Sequence, residues 1–170
     1  KESRNLETGE YSPSNKRTGL ESVKAAKKGL RTLVEYNDKG GEYAWRVLSK
    51  TLSYAASLVP EITDNLVNVD LAMKNGFLWK KGPFEMLDDL GPSWFAAKLT
   101  EENIQVPELL NAVSDGHFYD TNNGDLNYLD ITGNYSKLEK PSGYLNTQDI
   151  KRGKKPIFRN SSASLWDMGE

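Results

Sequence analysis

The sequence has 170 residues, a formal charge of −2 and no cysteine. That length permits one domain with a real core, the charge gives no global attraction to nucleic acid or an anionic membrane, and no run approaches the ~20 apolar residues that span a bilayer. Without cysteine there is no disulfide framework, thiolate nucleophile or cysteine metal site, and with no signal-peptide character in Lys1 to Asn5 a cytoplasmic setting is the expectation.

After a polar linker ending at Arg17, Thr18 and Glu21 have capping-box spacing ahead of Val23, Ala26, Leu30, Leu33 and Val34. This predicts an amphipathic helix to about Tyr36. Its opposite face carries Lys24, Lys27, Lys28 and Arg31, a solvated helix face rather than a binding patch. Asn37 to Gly41 make a turn. Then Tyr43, Trp45, Val47, Leu48, Leu52, Tyr54, Ala55, Leu58 and Val59 spread apolar side chains round nearly the whole circumference, which predicts a buried helix. Thr63 or Asp64 is placed to cap the next one.

Leu66, Val69 and Met73 recur at helical spacing as far as Gly76, where a left-handed cap is expected to end the helix. Pro83 suits the first position of a second helix, Phe84, Leu87 and Leu90 form its apolar stripe, and Gly91 stops it. The intervening loop carries Phe77 and Trp79. Trp94, Phe95, Ala97 and Leu99 predict a further short helix, and Pro107 opens another with Leu109, Leu110 and Val113, closed at Gly116. The period then changes. Residues 117–120 and 126–130, separated by a stretch containing Asn123-Gly124, predict a β-hairpin. Lys137 to Lys155 is linker-like and basic, with a short helix around Asn146 to Lys151. Ala163 to Gly169 alternates as a strand for which the rest of the chain offers no sheet.

The two ends are alike. Thr8-Gly9 falls on Thr132-Gly133, Tyr11-Ser12 on Tyr135-Ser136, Gly19 on Gly143 and Gly29 on Gly153 without a gap, which reads as an internal repeat.

Asp70, Gly76, Phe77, Gly82, Pro83, Phe84, Asp88 and Gly91 stand at spacings that resemble the C-terminal helical domain of the 3-hydroxyacyl-CoA dehydrogenases of fatty-acid β-oxidation, and the likeness extends more weakly from about Glu21 to Tyr119. The resemblance implies a mainly α fold with a short β-hairpin and extended tails. Residues 1–17 would be the tail of a preceding unit and a linker, 18–136 the helical domain, 137–160 a second linker, and 161–170 the start of a crotonase-like domain. The last assignment rests on Ala163 to Gly169, which resembles the opening strand of an enoyl-CoA hydratase. For the parent protein the resemblance implies NAD as oxidant, an acyl-CoA substrate, and Rossmann and crotonase domains as partners, with a homodimer as an open alternative.

The chain has no Gly-x-Gly-x-x-Gly turn between a strand and a helix, so no cofactor-binding residue is expected in it. Its single histidine, His117, has only Asp115 and Asp120 as sequence neighbours with a carboxylate and reads as a loop residue rather than a general base. Where the family has an Asn-Arg pair on its first long helix, this chain reads Glu42-Tyr43-Ala44-Trp45-Arg46 and so resembles a second, diverged copy that supports the fold. Neither a catalytic residue nor a metal ligand is expected. Glu85, Asp88 and Asp89 sit where a metal or acid–base cluster is conceivable, but without histidine they read as structural, with Asp88 accepting backbone N–H groups. Lys80 and Lys81, just ahead of the helix that Pro83 opens, are the candidate anion contacts. Free N–H groups and the helix dipole would face the same way there, and CoA phosphate is the anion implied. A free-standing association scaffold is the alternative, and a nucleic-acid binder, resting on lysines alone, a distant third.

Overall fold

The computed structural model describes residues 1–14, 19–113, 116–122, 124–140, 142–143, 147–152 and 154–167. The fold is mainly α with small antiparallel sheets. The chain divides into two compact units, Lys1–Arg46 and Val47–Glu170.

The first unit opens with a hairpin of β1 (Glu2–Arg4) and β2 (Tyr11–Pro13). The helix expected from Glu21 to Tyr36 is broken into α1 (Ser22–Ala25), a 3-10 turn (Ala26–Lys28) and α2 (Leu30–Val34). Gly29 is the reason: its φ of 142° and ψ of 165° lie far from helical values, in a region that essentially only glycine occupies. Thr18 lies outside the described residues. Glu21 does not act as a cap and pairs instead with Lys24 at 2.8 Å. The Ser22 N–H is taken by Asp38 Oδ2 at 3.0 Å, while Asp38 Oδ1 accepts from Gly40 and Gly41 at the start of α3 (Lys39–Ser57).

Helix α3 was expected to be buried all round, and it is not. Trp45, Leu52, Ala55 and Ala56 are buried, whereas Tyr43 and Tyr54 are 70% and 66% exposed and Val47 also faces solvent. Residues 43, 47 and 54 share one stripe at helical spacing, and a tyrosine on such a stripe can keep its hydroxyl in water.

In the second unit α4 (Leu66–Gly76) is capped by Asn65, whose side chain accepts from the Val67 N–H at 2.9 Å. Neither Thr63 nor Asp64, the two expected caps, holds that position; Thr63 accepts from the Asn65 N–H instead. Gly76 is the last helical residue without being left-handed; the positive φ falls two residues later, at Leu78 with 56°. Pro83 is the first residue of α5 (Pro83–Leu90), and Gly91, with φ 85°, ends it and leads into α6 (Pro92–Glu101). Helix α7 (Glu108–Val113) packs on α6. The hairpin follows as β3 (Tyr119–Asn122) and β4 (Asp125–Leu129), paired Tyr119↔Tyr128 to Asn122↔Asp125, and β5 (Tyr135–Lys137) adds a third antiparallel strand. Phe84, Leu87, Leu90, Phe95, Leu99 and Phe118 are wholly buried. Phe84 and Phe118 meet edge to face with centroids 4.9 Å apart.

Beyond the sheet lie α8 (Thr147–Lys151) and a hairpin of β6 (Phe158–Arg159) with β7 (Ser164–Leu165). The terminal strand therefore has a partner that the sequence reading did not foresee: Phe158 stands opposite Leu165 and Arg159 opposite Ser164. Met168 and Gly169 lie outside the described residues.

Phe84→Ala is expected to destabilise the chain by about 3–5 kcal/mol, because it empties a closed core position, whereas Phe77→Ala, at an exposed one, stays within about 0.5 kcal/mol. Urea denaturation of both variants checks this; equal midpoints would show that Phe84 is not a packing centre.

Candidate functional site

The residues singled out from the sequence converge where α4, α5 and β3 meet. Asp70 sits in the middle of α4 and is 1% exposed. Its Oδ1 accepts from the Phe84 N–H at 2.8 Å, and Oδ2 accepts from the Glu85 N–H at 3.2 Å and from the Tyr119 hydroxyl at 2.8 Å. A helix start has N–H groups without intrahelical partners, and here a carboxylate from another helix supplies the missing acceptor. Glu85 completes the cap by accepting from the Gly82 N–H at 2.8 Å through Oε2, while its Oε1 binds Lys74 at 2.7 Å. Gly82 has an ordinary φ of −76°, so conformation does not demand glycine. Space does: a Cβ there would lie 2.2 Å from Asp70 Cγ and 2.3 Å from Asp70 Cβ.

One turn on, Asp88 repeats the device. Its two oxygens accept from the Phe118 and Tyr119 N–H groups at 2.7 and 2.9 Å, fixing the start of β3 to α5. His117 Nδ1 lies 3.6 Å from Asp88 Oδ1, beyond hydrogen-bond range, and its ring is mostly exposed. Asp89 pairs with Lys81. Glu85, Asp88 and Asp89 thus have separate partners, and among the described residues no group of three potential ligands is gathered for a metal.

Burial sets the electrostatics. It pushes the Asp70 carboxyl up to about 6, against the opposing pull of the Phe84 N–H and the Tyr119 hydroxyl. It also raises Asp88, against the Phe118 and Tyr119 N–H groups, and raises Tyr119, where the neighbouring Asp70 charge adds to it.

The helix start beside Lys80 and Lys81 is not the open anion site that the sequence suggested. Its Gly82, Phe84 and Glu85 N–H groups are engaged by Glu85 and Asp70, and Lys81 is engaged by Asp89. Lys80 remains exposed in the loop. Among the described residues the sheets are of two or three strands and antiparallel. Beside this knot an open apolar groove of about 420 Å³ runs along α4, lined among others by Tyr54, Leu58, Ile62, Met73, Trp79 and Pro83. Phe77 and Leu78, in the adjoining loop, are 71% and 87% exposed.

Asp70, Gly82 and Asp88 were singled out by the resemblance to the dehydrogenase motif. It did not flag Tyr119 or Glu85 as the groups that complete the knot, although the reciprocal Gly82–Glu85 spacing is that of a capping box with glycine in the leading place.

The arrangement binds backbone to backbone through carboxylates. The chain is similar to one part of a larger dehydrogenase. It is 36% identical over 161 residues, 91% of its own length, to a Bacillus subtilis (strain 168) protein named "Probable 3-hydroxyacyl-CoA dehydrogenase". It is 29% identical over 158 residues to a Rickettsia felis protein named "Putative fatty acid oxidation complex trifunctional enzyme", and 32% identical over 68 residues to a Rickettsia prowazekii protein of the same name. The chain spans about a fifth of the length of the first two relatives, 20% and 19%. No protein-family model matches it, and neither does any solved structure. Among the described residues no helix is long and apolar enough to cross a membrane.

A pH dependence follows. The folded pKa of Asp70, about 6, stands above the unfolded value near 3.9, so its contribution to stability is full below about pH 4 and is lost as pH rises through 6. Asp88 acts in the same direction. Asp38, held down to about 2 because the Ser22, Gly41 and Gly40 N–H groups outweigh the burial that would raise it, acts oppositely and in a lower window, between pH 2 and 4. Asp70→Asn should therefore flatten the loss of stability between pH 4 and 6 in urea titrations while leaving the behaviour below pH 4 in place. An unchanged slope between pH 4 and 6 would show that Asp70 does not titrate there.

Proposed function

We propose that this chain is a helical module of a larger enzyme that oxidises 3-hydroxyacyl-CoA with NAD in fatty-acid β-oxidation. The module packs against and supports the catalytic domains and does not catalyse alone. One observation carries the reading: 91% of the chain aligns, at 36% identity, with a fifth of a protein named as such a dehydrogenase. The local geometry supports the structural half of it, because Asp70, Glu85 and Asp88 each turn at least one oxygen to a backbone donor inside the module. The exposed Phe77 and Leu78 and the adjoining groove suit a surface covered by other parts of the protein.

On this reading the parent enzyme holds NAD in a Rossmann domain, takes an acyl-CoA substrate and works in the cytoplasm. Residues 1–17 are the tail of a preceding unit, 18–136 the helical module and 137–160 a linker. The similarity to proteins named as trifunctional supports a hydratase domain in the same polypeptide, with residues 161–170 leading into it. An association scaffold without enzymatic role is the second reading, favoured only by the exposed apolar groove.

The test is an assay of the intact natural polypeptide and of the 170-residue chain with NAD and a 3-hydroxyacyl-CoA. NADH should form with the first and not with the second. An intact protein that leaves the substrate unchanged would overturn the dehydrogenase reading, and NAD reduction that scales with the purified chain would overturn the supporting role.

A further inference from the structure

The repeat read from the sequence is also a repeat of strand pairing. In the first hairpin Glu2 stands opposite Pro13, Ser3 opposite Ser12 and Arg4 opposite Tyr11. In the later one Asn127 stands opposite Lys137, Tyr128 opposite Ser136 and Leu129 opposite Tyr135. The flanking bonds agree: Ser14 N–H to Lys1 carbonyl matches Leu138 to Leu126, both at 2.9 Å, and Asn5 N–H to Glu10 carbonyl matches Asp130 to Asn134, both at 2.8 Å. Gly9 and Gly133 occupy the same left-handed turn position, with φ 76° and 82°. So β1–β2 corresponds to β4–β5, with one extra residue in the first turn.

The correspondence exposes a difference. In the second hairpin β4 is a central strand, and its other edge is taken by β3, where the Leu129 N–H donates to the Phe118 carbonyl at 2.8 Å. In the first hairpin no strand among the described residues pairs with that edge of β1. Lys1, Ser3 and Asn5 turn their polar groups to β2, so by alternation Glu2 and Arg4 point N–H and C=O at the open edge. Arg4 is the counterpart of Leu129. A two-stranded hairpin with every strand residue exposed is marginal by itself, and an open edge is a template for pairing.

Tyr11 makes the occupant more specific. Its counterpart Tyr135 donates its hydroxyl to the His117 carbonyl at 2.6 Å, tying β5 to the residue that leads into β3. Tyr11 occupies the same register position and is 68% exposed.

The geometry points to the open edge of β1 as the docking site for a β3-like strand from an upstream copy of the helical unit in the intact polypeptide. That strand runs antiparallel to β1, accepts the Arg4 N–H and takes the Tyr11 hydroxyl on the carbonyl of the residue that leads into it. The inference rests on the repeat of pairing and holds whatever reaction the protein catalyses.

Amide hydrogen exchange tests it in the intact natural polypeptide and in the 170-residue chain, with the Leu129 amide as internal reference. The Arg4 amide should exchange at least about tenfold more slowly in the intact protein, as one added hydrogen bond requires, and Tyr11→Phe there should restore part of the fast exchange. Equal Arg4 rates in the two forms would overturn the proposal. So would protection in the 170-residue chain that grows with concentration, which would assign the edge to a second copy, and so would protection in the intact protein that Tyr11→Phe leaves untouched.

Discussion

The second unit depends on one buried carboxylate. Asp70 lies in the middle of α4, yet its oxygens serve the first N–H groups of α5 and the hydroxyl of Tyr119 on β3. A buried carboxylate without partners is strongly unfavourable, and an uncapped helix start leaves donors unsatisfied; each deficit is met by the other. The angle between α4 and α5 is therefore fixed by hydrogen bonds and not by apolar packing alone. Gly82 is the steric side of the same contact, since any side chain there would occupy the volume of Asp70. Asp88 extends the arrangement by holding the Phe118 and Tyr119 amides, which brings Phe118 onto Phe84 in the core.

Much of this was legible in the sequence. Pro83 and Gly91 bound α5 where rigid φ and a left-handed stop are needed, and the stripe of Phe84, Leu87 and Leu90 is buried as its spacing implies. The hairpin was also readable, because an Asn-Gly step between two short runs rich in apolar residues is a turn signal, although the strands reach closer to the turn, to Asn122 and Asp125, than expected. What escaped depends on contacts between distant residues. Periodicity put apolar side chains all round α3, but it cannot say that the stripe of Tyr43, Val47 and Tyr54 would be left to solvent. Gly29 looked like one more residue in a helix, whereas its backbone lies in a conformation that divides the segment. Thr63 was as reasonable a cap as Asn65; the choice turns on which side chain reaches the Val67 amide.

The candidate site shows the same division. The resemblance to the dehydrogenase motif singled out Asp70, Gly82 and Asp88, while the reading of the helix start rested on its chemistry. That reading placed Lys80 and Lys81 beside free N–H groups that the fold assigns to carboxylates within the chain. A helix start attracts an anion by its dipole, and a side chain already held in the fold meets that demand before any ligand arrives. The carboxylates of the motif thus hold the start of α5 within the fold.

If Asp70 and Gly82 form one contact, their substitutions cannot be independent. A double-mutant cycle by urea denaturation with Asp70→Gly, Gly82→Ala and the double variant measures this, because the helix-propensity loss of Asp70→Gly is common to both arms and cancels. Gly82→Ala should destabilise the parent by about 1–3 kcal/mol through overpacking, yet cost little once Asp70 has been removed, giving a coupling of at least about 1 kcal/mol. Additive effects would contradict the account: Gly82 would then be free of Asp70, and the carboxylate would not be the constraint that sets α5 on α4.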